Sequence, residues 1–564
     1  MVKNQFSEND SAIIHALRTI YFLAKQDIAT SKYPDFVDFL IQQGCSDLAP
    51  IAKSYQSYTI TKDFQESIYE VILRDMRKKL TDADYISVLC DESCDITSTK
   101  KLSVYARISS GCKPETIFLE NCEILDGKAD TIATSVKNLL TKFEVPPDKV
   151  VGLGSDGASV MTGKHNGVGT RLKRETNPQL IQLHCIAHQL ALVSSQAANG
   201  VPYLKTYQEF MTNIYYWFKH SAKRISGLAS LQDVLDAPKI RIKEVHSVRW
   251  FSFYNSLDAL YRSWQSLAML FEQQVAENGN PQSKGFLKTM ATSQFLLVTS
   301  CLMDIIPIIT HLNMIFQKEN LDLAVVSPAV RGVKNQLQEL LQTPGAHEQA
   351  TKEDLGETSQ SESYYKGVKI RDTTQLRNGA DSAKTSFINN LLEELDKRFP
   401  DNDQSVVSAL SVLGLRGIRF QNQDAQAAFG NKELDVVIKH YEDKYVDGNV
   451  VKQEWAILKE LVLANTYSCD SMKELWEIIN AFHKENFPNL CKLAGIALAL
   501  PVHTADVERG FSAQNIIKSS LRNRLISENL QMLIAIKLNG PLSQDFDFRS
   551  ALSVFKTKRQ RHFS

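Results

Sequence analysis

Three short runs, YISVLCDES (85–93), KLSVYARIS (101–109) and ETIFLENCEI (115–124), follow one another with only polar, Gly or Pro breaks between them. Their lengths and their β-branched and aromatic content predict three successive antiparallel strands. Ile132, Val136, Leu139, Leu140 and Phe143 then share one helical face over about 128–144, and Pro146-Pro147 closes that helix. KVVGLGSD (149–156) reads as a strand ending in a Gly-rich turn. A helical stretch to about Glu175, a short strand LIQLHC (180–185) and an apolar helix HQLALVSSQAA (188–198) complete the block.

Residues 81–200 thus run βββαβαβα. A three-strand meander extended by right-handed crossovers fits an α/β RNase H-like core, although other α/β plans share the order. Outward from this block, residues 1–80 read as helices, with Ile13, Ile14, Leu17, Ile20 and Tyr21 at helical spacing. Residues 201–485 read as a large all-α insertion, within which about 342–385 is polar, weakly periodic and expected to be a mobile linker. Residues 486–550 return to dense apolar helices, and 551–564 form a basic tail whose readings are a solvated terminus or a nuclear address.

Composition narrows the partners. A chain of 564 residues with 43% apolar content is too long for one ordinary core. Lys+Arg and Asp+Glu both number 64, so a nucleic acid has to be met by a local basic patch. Nine cysteines without a dense pattern, behind a polar N-terminus, lead us to expect free thiols and an intracellular protein. The most apolar run, QFLLVTSCLMDIIPIITHL (294–312), carries Asp304 and Pro307 and is not expected to span a membrane.

Two carboxylates stand where strands end. Asp91 shares a strand face with Leu89 and Ser93, and Asp156 ends the fourth strand in GLGSDGAS. Each alone is equally a polar turn residue. Gly152, Gly154 and Gly157 match G-x-G-x-x-G, yet no acid ends the following strand and Asp156 sits where a pyrophosphate would, so a dinucleotide is excluded. In a 3-2-1-4-5 sheet the first and fourth strands adjoin, which brings Asp91 and Asp156 together. Paired carboxylates repel unless a hard cation joins them, and Mg²⁺ or Mn²⁺ suits oxygen ligands. Glu508, in ADVERGFSAQN (505–515) after a capping Thr504, is the candidate third acid; a surface glutamate is its plain alternative.

Cys185 and His188, three apart, read as a buried pair fixing the strand-to-helix junction. A zinc set with Cys90 and Cys94 is the weaker alternative, because those two lie about 13 Å apart in extended chain unless the strand ends early. Arg249 and Trp250 offer a cation and a flat face to a DNA strand, or a core tryptophan. Lys164, Arg171, Lys173 and Arg174, with Lys518, Arg522 and Arg524, flank the acids in sequence and suit a phosphate backbone.

SVLCDESCDITSTKKLSVYARI, VGLGSDGASVMTGKHNGV, LHCIAHQLAL, Arg249-Trp250 and VERGFSAQNIIKSSLRNRL, in this order, resemble the successive motifs of hAT-superfamily transposases and their domesticated relatives, over roughly 85–540. The resemblance implies an RNase H-like core split by a helical insertion, a metal-binding catalytic triad of Asp91, Asp156 and Glu508, and DNA as substrate. It further implies a C-x-x-H position at Cys185 and His188, Trp250 against a flipped base, and a dimerisation region at about 450–545, hence a homodimer or higher oligomer. Family members usually carry an N-terminal BED-type zinc finger, and no such Cys/His set precedes Asp91 in this sequence. Two functions stand. One is a nuclear DDE-type enzyme that cleaves and joins DNA; the other is a domesticated, catalytically silent nuclear protein that binds chromatin or regulatory proteins.

Overall fold

The computed structural model describes residues 8–49, 55–94, 99–244, 250–318, 321–356, 363–400, 405–442, 444–519 and 522–562. The chain divides into two compact units, residues 1–185 with 404–564, and residues 186–403. The helical block expected over 201–485 is therefore itself divided, and the helices from Val406 to His483 lie in the first unit.

The first unit is built on a five-stranded mixed sheet in the order β3-β2-β1-β4-β5. Its strands are β1 Tyr85–Cys94, β2 Lys100–Ser110, β3 Lys113–Glu123, β4 Val150–Ser155 and β5 Ile181–His184. The first three form an antiparallel meander, and β4 and β5 run parallel to β1. β1 is central: from Ile86 to Cys90 it is fully buried between β2 and β4. Beyond Leu89, whose partner is Gly154, no residue of β4 pairs with it, and from Asp91 onward β1 is alternately half-buried and exposed. Between β3 and β4 the helix Ala129–Lys142 ends where Glu144 turns left-handed at φ 57°, ahead of the prolines.

The helices Glu8–Lys25, Tyr33–Gln42 and Tyr58–Asp82 do not stand apart as a separate N-terminal region. They share one apolar core with the sheet and with the helices Ser527–Asn539 and Phe548–His562. Tyr21 stacks on Phe546 at 4.7 Å and donates its hydroxyl to the Pro541 carbonyl at 2.5 Å. Phe64 meets Phe555 at 4.5 Å. The expected tail at 551–564 is thus helical to His562, and Lys556 and Lys558 pair with Asp10 at 2.7 Å and Glu66 at 2.5 Å.

The second unit is helical. The helix Ile186–Asn199, counted above with the core, packs here on Thr374–Arg398, and Asn390 donates to the Ala197 carbonyl at 3.1 Å. Ser293–Phe316 has a mean hydropathy of 1.9, enough to cross a membrane by composition, but 72% of that window is buried in the protein. Its Asp304 accepts from the His347 and Glu348 amides at 3.0 and 2.9 Å, capping the helix Ala346–Leu355.

That helix corrects the expected linker at 342–385. The segment holds the helix Ala346–Leu355, a hairpin of β6 Ser363–Tyr365 and β7 Val368–Ile370, and the start of Thr374–Arg398; residues 357–362 lie outside the described residues. Its polar character is internal. Glu348, 1% exposed, pairs with Lys352 and Lys384, each at 2.6 Å, and Asp372 holds Arg377 at 2.6 Å.

Candidate active site

Parallel register sets the geometry. Leu89 on β1 pairs with Gly154 on β4, and Asp91 and Asp156 each lie two residues farther along. Adjoining strands are about 4.8 Å apart and residues two apart share a face, so both carboxylates leave the sheet edge at one level. Asp91 accepts from the Glu92 amide at 2.9 Å. Asp156 accepts from the Ala158 amide at 3.2 Å, an Asx turn leading into the short helix Ser159–Thr162.

The glycines of GLGSDGAS admit close neighbours rather than a cofactor. A Cβ on Gly152 would lie 2.4 Å from the Ser87 hydroxyl, and one on Gly154 would lie 2.7 Å from the Pro501 ring. A Cβ on Gly157 would strike the His184 imidazole at 2.2 Å. His184, at the end of β5, therefore seats the Asp156 turn. Sequence reading passed over it, and the only signal was its place one residue before Cys185 at a strand end.

Glu508 lies in the first turns of the helix Ala505–Ile517, which packs on β1 and β2. Gly510 lets that helix descend: a Cβ there would sit 1.8 Å from the Tyr105 hydroxyl on β2. The expected side-chain cap by Thr504 is absent. Instead the Ala505 amide donates to His503 Nδ1 at 3.2 Å, and the Thr504 amide donates to Cys185 Sγ at 3.3 Å. The buried Cys185 thus ties the end of β5 to the start of the Glu508 helix.

Electrostatics joins the three acids. Burial raises the Asp91 pKa to about 7, and the charges of Asp156 and then Glu508 push in the same direction, against the Glu92 amide. Burial likewise raises the Cys90 thiol, with Asp91 and Asp156 adding to it. The donors are all carboxylate oxygens, the class a hard divalent ion takes. Among the described residues, however, no three His, Cys, Asp or Glu side chains are gathered closely enough to hold one ion.

The remaining candidates separate. His188 is exposed on the helix Ile186–Asn199, so the expected burial holds for Cys185 alone. Its position there explains this, since Leu190 and Val193 take the buried face. Lys164 and Lys173 are exposed. Arg171 pairs with Asp130 at 2.8 Å and Arg174 with Glu175 at 2.7 Å. Lys518 is 7% exposed, which removes it from a solvent-facing phosphate track. Arg522 donates to the Asp27 carbonyl at 3.1 Å, while Arg524 is exposed. Arg249 lies outside the described residues, as does the side chain of Trp250, whose backbone opens the helix Trp250–Asn278.

Residues 36–167 match the family described as ZMYM1/FAM200, RNase-like domain, and residues 458–539 match the hAT family C-terminal dimerisation region. The first match contains Asp91 and Asp156 and the second contains Glu508.

Proposed function

We propose that this chain, a relative of the hAT-family transposases with that family's dimerisation region, acts on nuclear DNA through a DDE-type centre of Asp91, Asp156 and Glu508 on an RNase H-like core. The observation that carries the reading is geometric: Leu89 beside Gly154 brings Asp91 and Asp156 to one level, and the Glu508 helix packs on β1; burial, and then the charges of Asp156 and Glu508, raise the Asp91 pKa. Carboxylates that oppose one another's ionisation are stabilised when a cation joins them. Asp91, Asp156 and Glu508 would hold Mg²⁺ or Mn²⁺, which supplies Lewis acidity to an attacking hydroxyl and to the departing oxygen of a phosphodiester.

The chain's own residues have defined parts. Asp91 surrenders its proton near neutral pH, so the site gains charge when a cation is offered. His184 and Cys185 keep the two neighbouring turns in place. Trp250 and Arg249 receive an unstacked base near the DNA end. Incubation of the purified protein with labelled hairpin-ended DNA and Mn²⁺, beside Asp156→Ala, tests the chemistry. Cleavage products from wild type and at least a 100-fold loss in the variant are expected. Identical products from both reject the DDE centre.

A second reading has its own observation: the three carboxylates are not drawn into a ligand set. It makes the chain a domesticated, silent protein that keeps the dimerisation surface and binds chromatin or regulatory partners. Mn²⁺-dependent cleavage abolished by Asp156→Ala would remove it.

A further inference from the structure

Two cavities of the first unit differ in charge. One is lined by five glutamates, Glu66, Glu70, Glu120, Glu123 and Glu528, against two lysines, Lys142 and Lys558. The other, of about 760 Å³, lies between the turn Thr30–Lys32, the start of the helix Tyr58–Asp82 and the loop leading into Ser527–Asn539. Its lining includes Arg522 and Arg524 and, among the described residues, no carboxylate.

We infer that this second cavity binds the phosphodiester backbone of an unpaired DNA strand, with a base against Tyr58. The guanidinium groups supply planar, paired donors suited to phosphate. Arg522 donates to the Asp27 carbonyl at 3.1 Å, which fixes it, and the Asp27 carboxylate close by is itself paired with Lys537. Arg524 has no ion pair among the described residues and is exposed at the rim. Tyr58 is 73% exposed beside it, a large ring left in water where base stacking would cover it. Among the described residues the wall holds one unsatisfied group: Asn529 Oδ1 is buried without a hydrogen-bond partner, while its amide nitrogen lies 3.5 Å from the Tyr58 hydroxyl. An amide in that position offers a donor or an acceptor to a sugar or base edge. Duplex DNA shields its base faces, so the ring favours a single strand.

This inference rests on the DNA-handling reading and names the backbone contact within it. Full-length protein in EDTA, so that no cleavage intervenes, is titrated against a labelled single-stranded oligonucleotide of mixed sequence at stepped salt, read by fluorescence anisotropy. Arg524→Ala is expected to bind about 3- to 10-fold more weakly, with the salt slope reduced by about 0.7. Tyr58→Ala is expected to lose about 5-fold or more with the slope unchanged. Lys432→Ala, which removes an exposed charge elsewhere in the same unit, is expected to bind as wild type does. Wild-type binding with Arg524→Ala and Tyr58→Ala both unaltered overturns the site alone. Absence of binding by wild type overturns the site and the DNA reading together.

Discussion

Asp91 sits at the point where β1 outruns β4, and its environment makes a titration prediction. Its pKa is raised from 3.8 to about 7, so the folded state binds the proton more tightly than the unfolded chain does. The stability from that difference is fully present below about pH 4 and is lost as pH rises through about 7. Urea unfolding of metal-free protein is expected to show a loss on the order of 1–4 kcal/mol between about pH 5 and pH 8. Asp91→Asn cannot ionise, so its profile is expected to be flatter over that range; parallel profiles for the two proteins would contradict the assignment. Gly510 offers a second residue-scale test. Gly510→Ala is expected to cost about 1–3 kcal/mol through overpacking against Tyr105. The Tyr105 hydroxyl is the nearest obstacle and is buried without a hydrogen-bond partner, so adding Tyr105→Phe should restore most of the loss. A double variant no more stable than Gly510→Ala would place the strain elsewhere.

At the scale of elements, the helix Ala346–Leu355 depends on a side chain from another helix. Asp304→Ala removes the acceptor of the His347 and Glu348 amides and is expected to cost about 1–2 kcal/mol, with faster hydrogen exchange confined first to that helix. Unchanged exchange there would refute the cap. This helix also marks the boundary of what sequence pattern conveys. β1 to β5 were legible because alternation and β-branching report a half-buried sheet directly, and the level of Asp91 with Asp156 followed from strand order. The segment 342–385 was not, because Glu348 with Lys384 and Asp372 with Arg377 neutralise each other inside the fold yet read as solvent-loving letters. Lys518 misled because a basic letter does not report its own burial. His188 misled because the spacing that joined it to Cys185 did not reveal which face of the following helix packs. The glycines of GLGSDGAS imitated a nucleotide fingerprint although their neighbours are Ser87, Pro501 and His184.

At the scale of the molecule, segments far apart in the chain complete one unit. Residues 1–185 and 404–564 fold together, so a chain ended near residue 450 would lose the helices that cover the sheet and is a poor probe of assembly. The dimerisation region at 458–539 supports self-association. Sedimentation equilibrium of the full chain is expected to report a dimer or larger species at micromolar concentration, and a monomer throughout would contradict that expectation. Because Glu508 belongs to the returning segment 404–564, the proposed centre requires that segment to pack on the sheet. Calorimetric titration of Mn²⁺ into wild type and Glu508→Gln near pH 7.5 therefore addresses the central claim most directly. We expect saturable binding by wild type and at least a 10-fold weaker affinity in the variant; equal affinity in the two proteins would show that Glu508 is no part of the site.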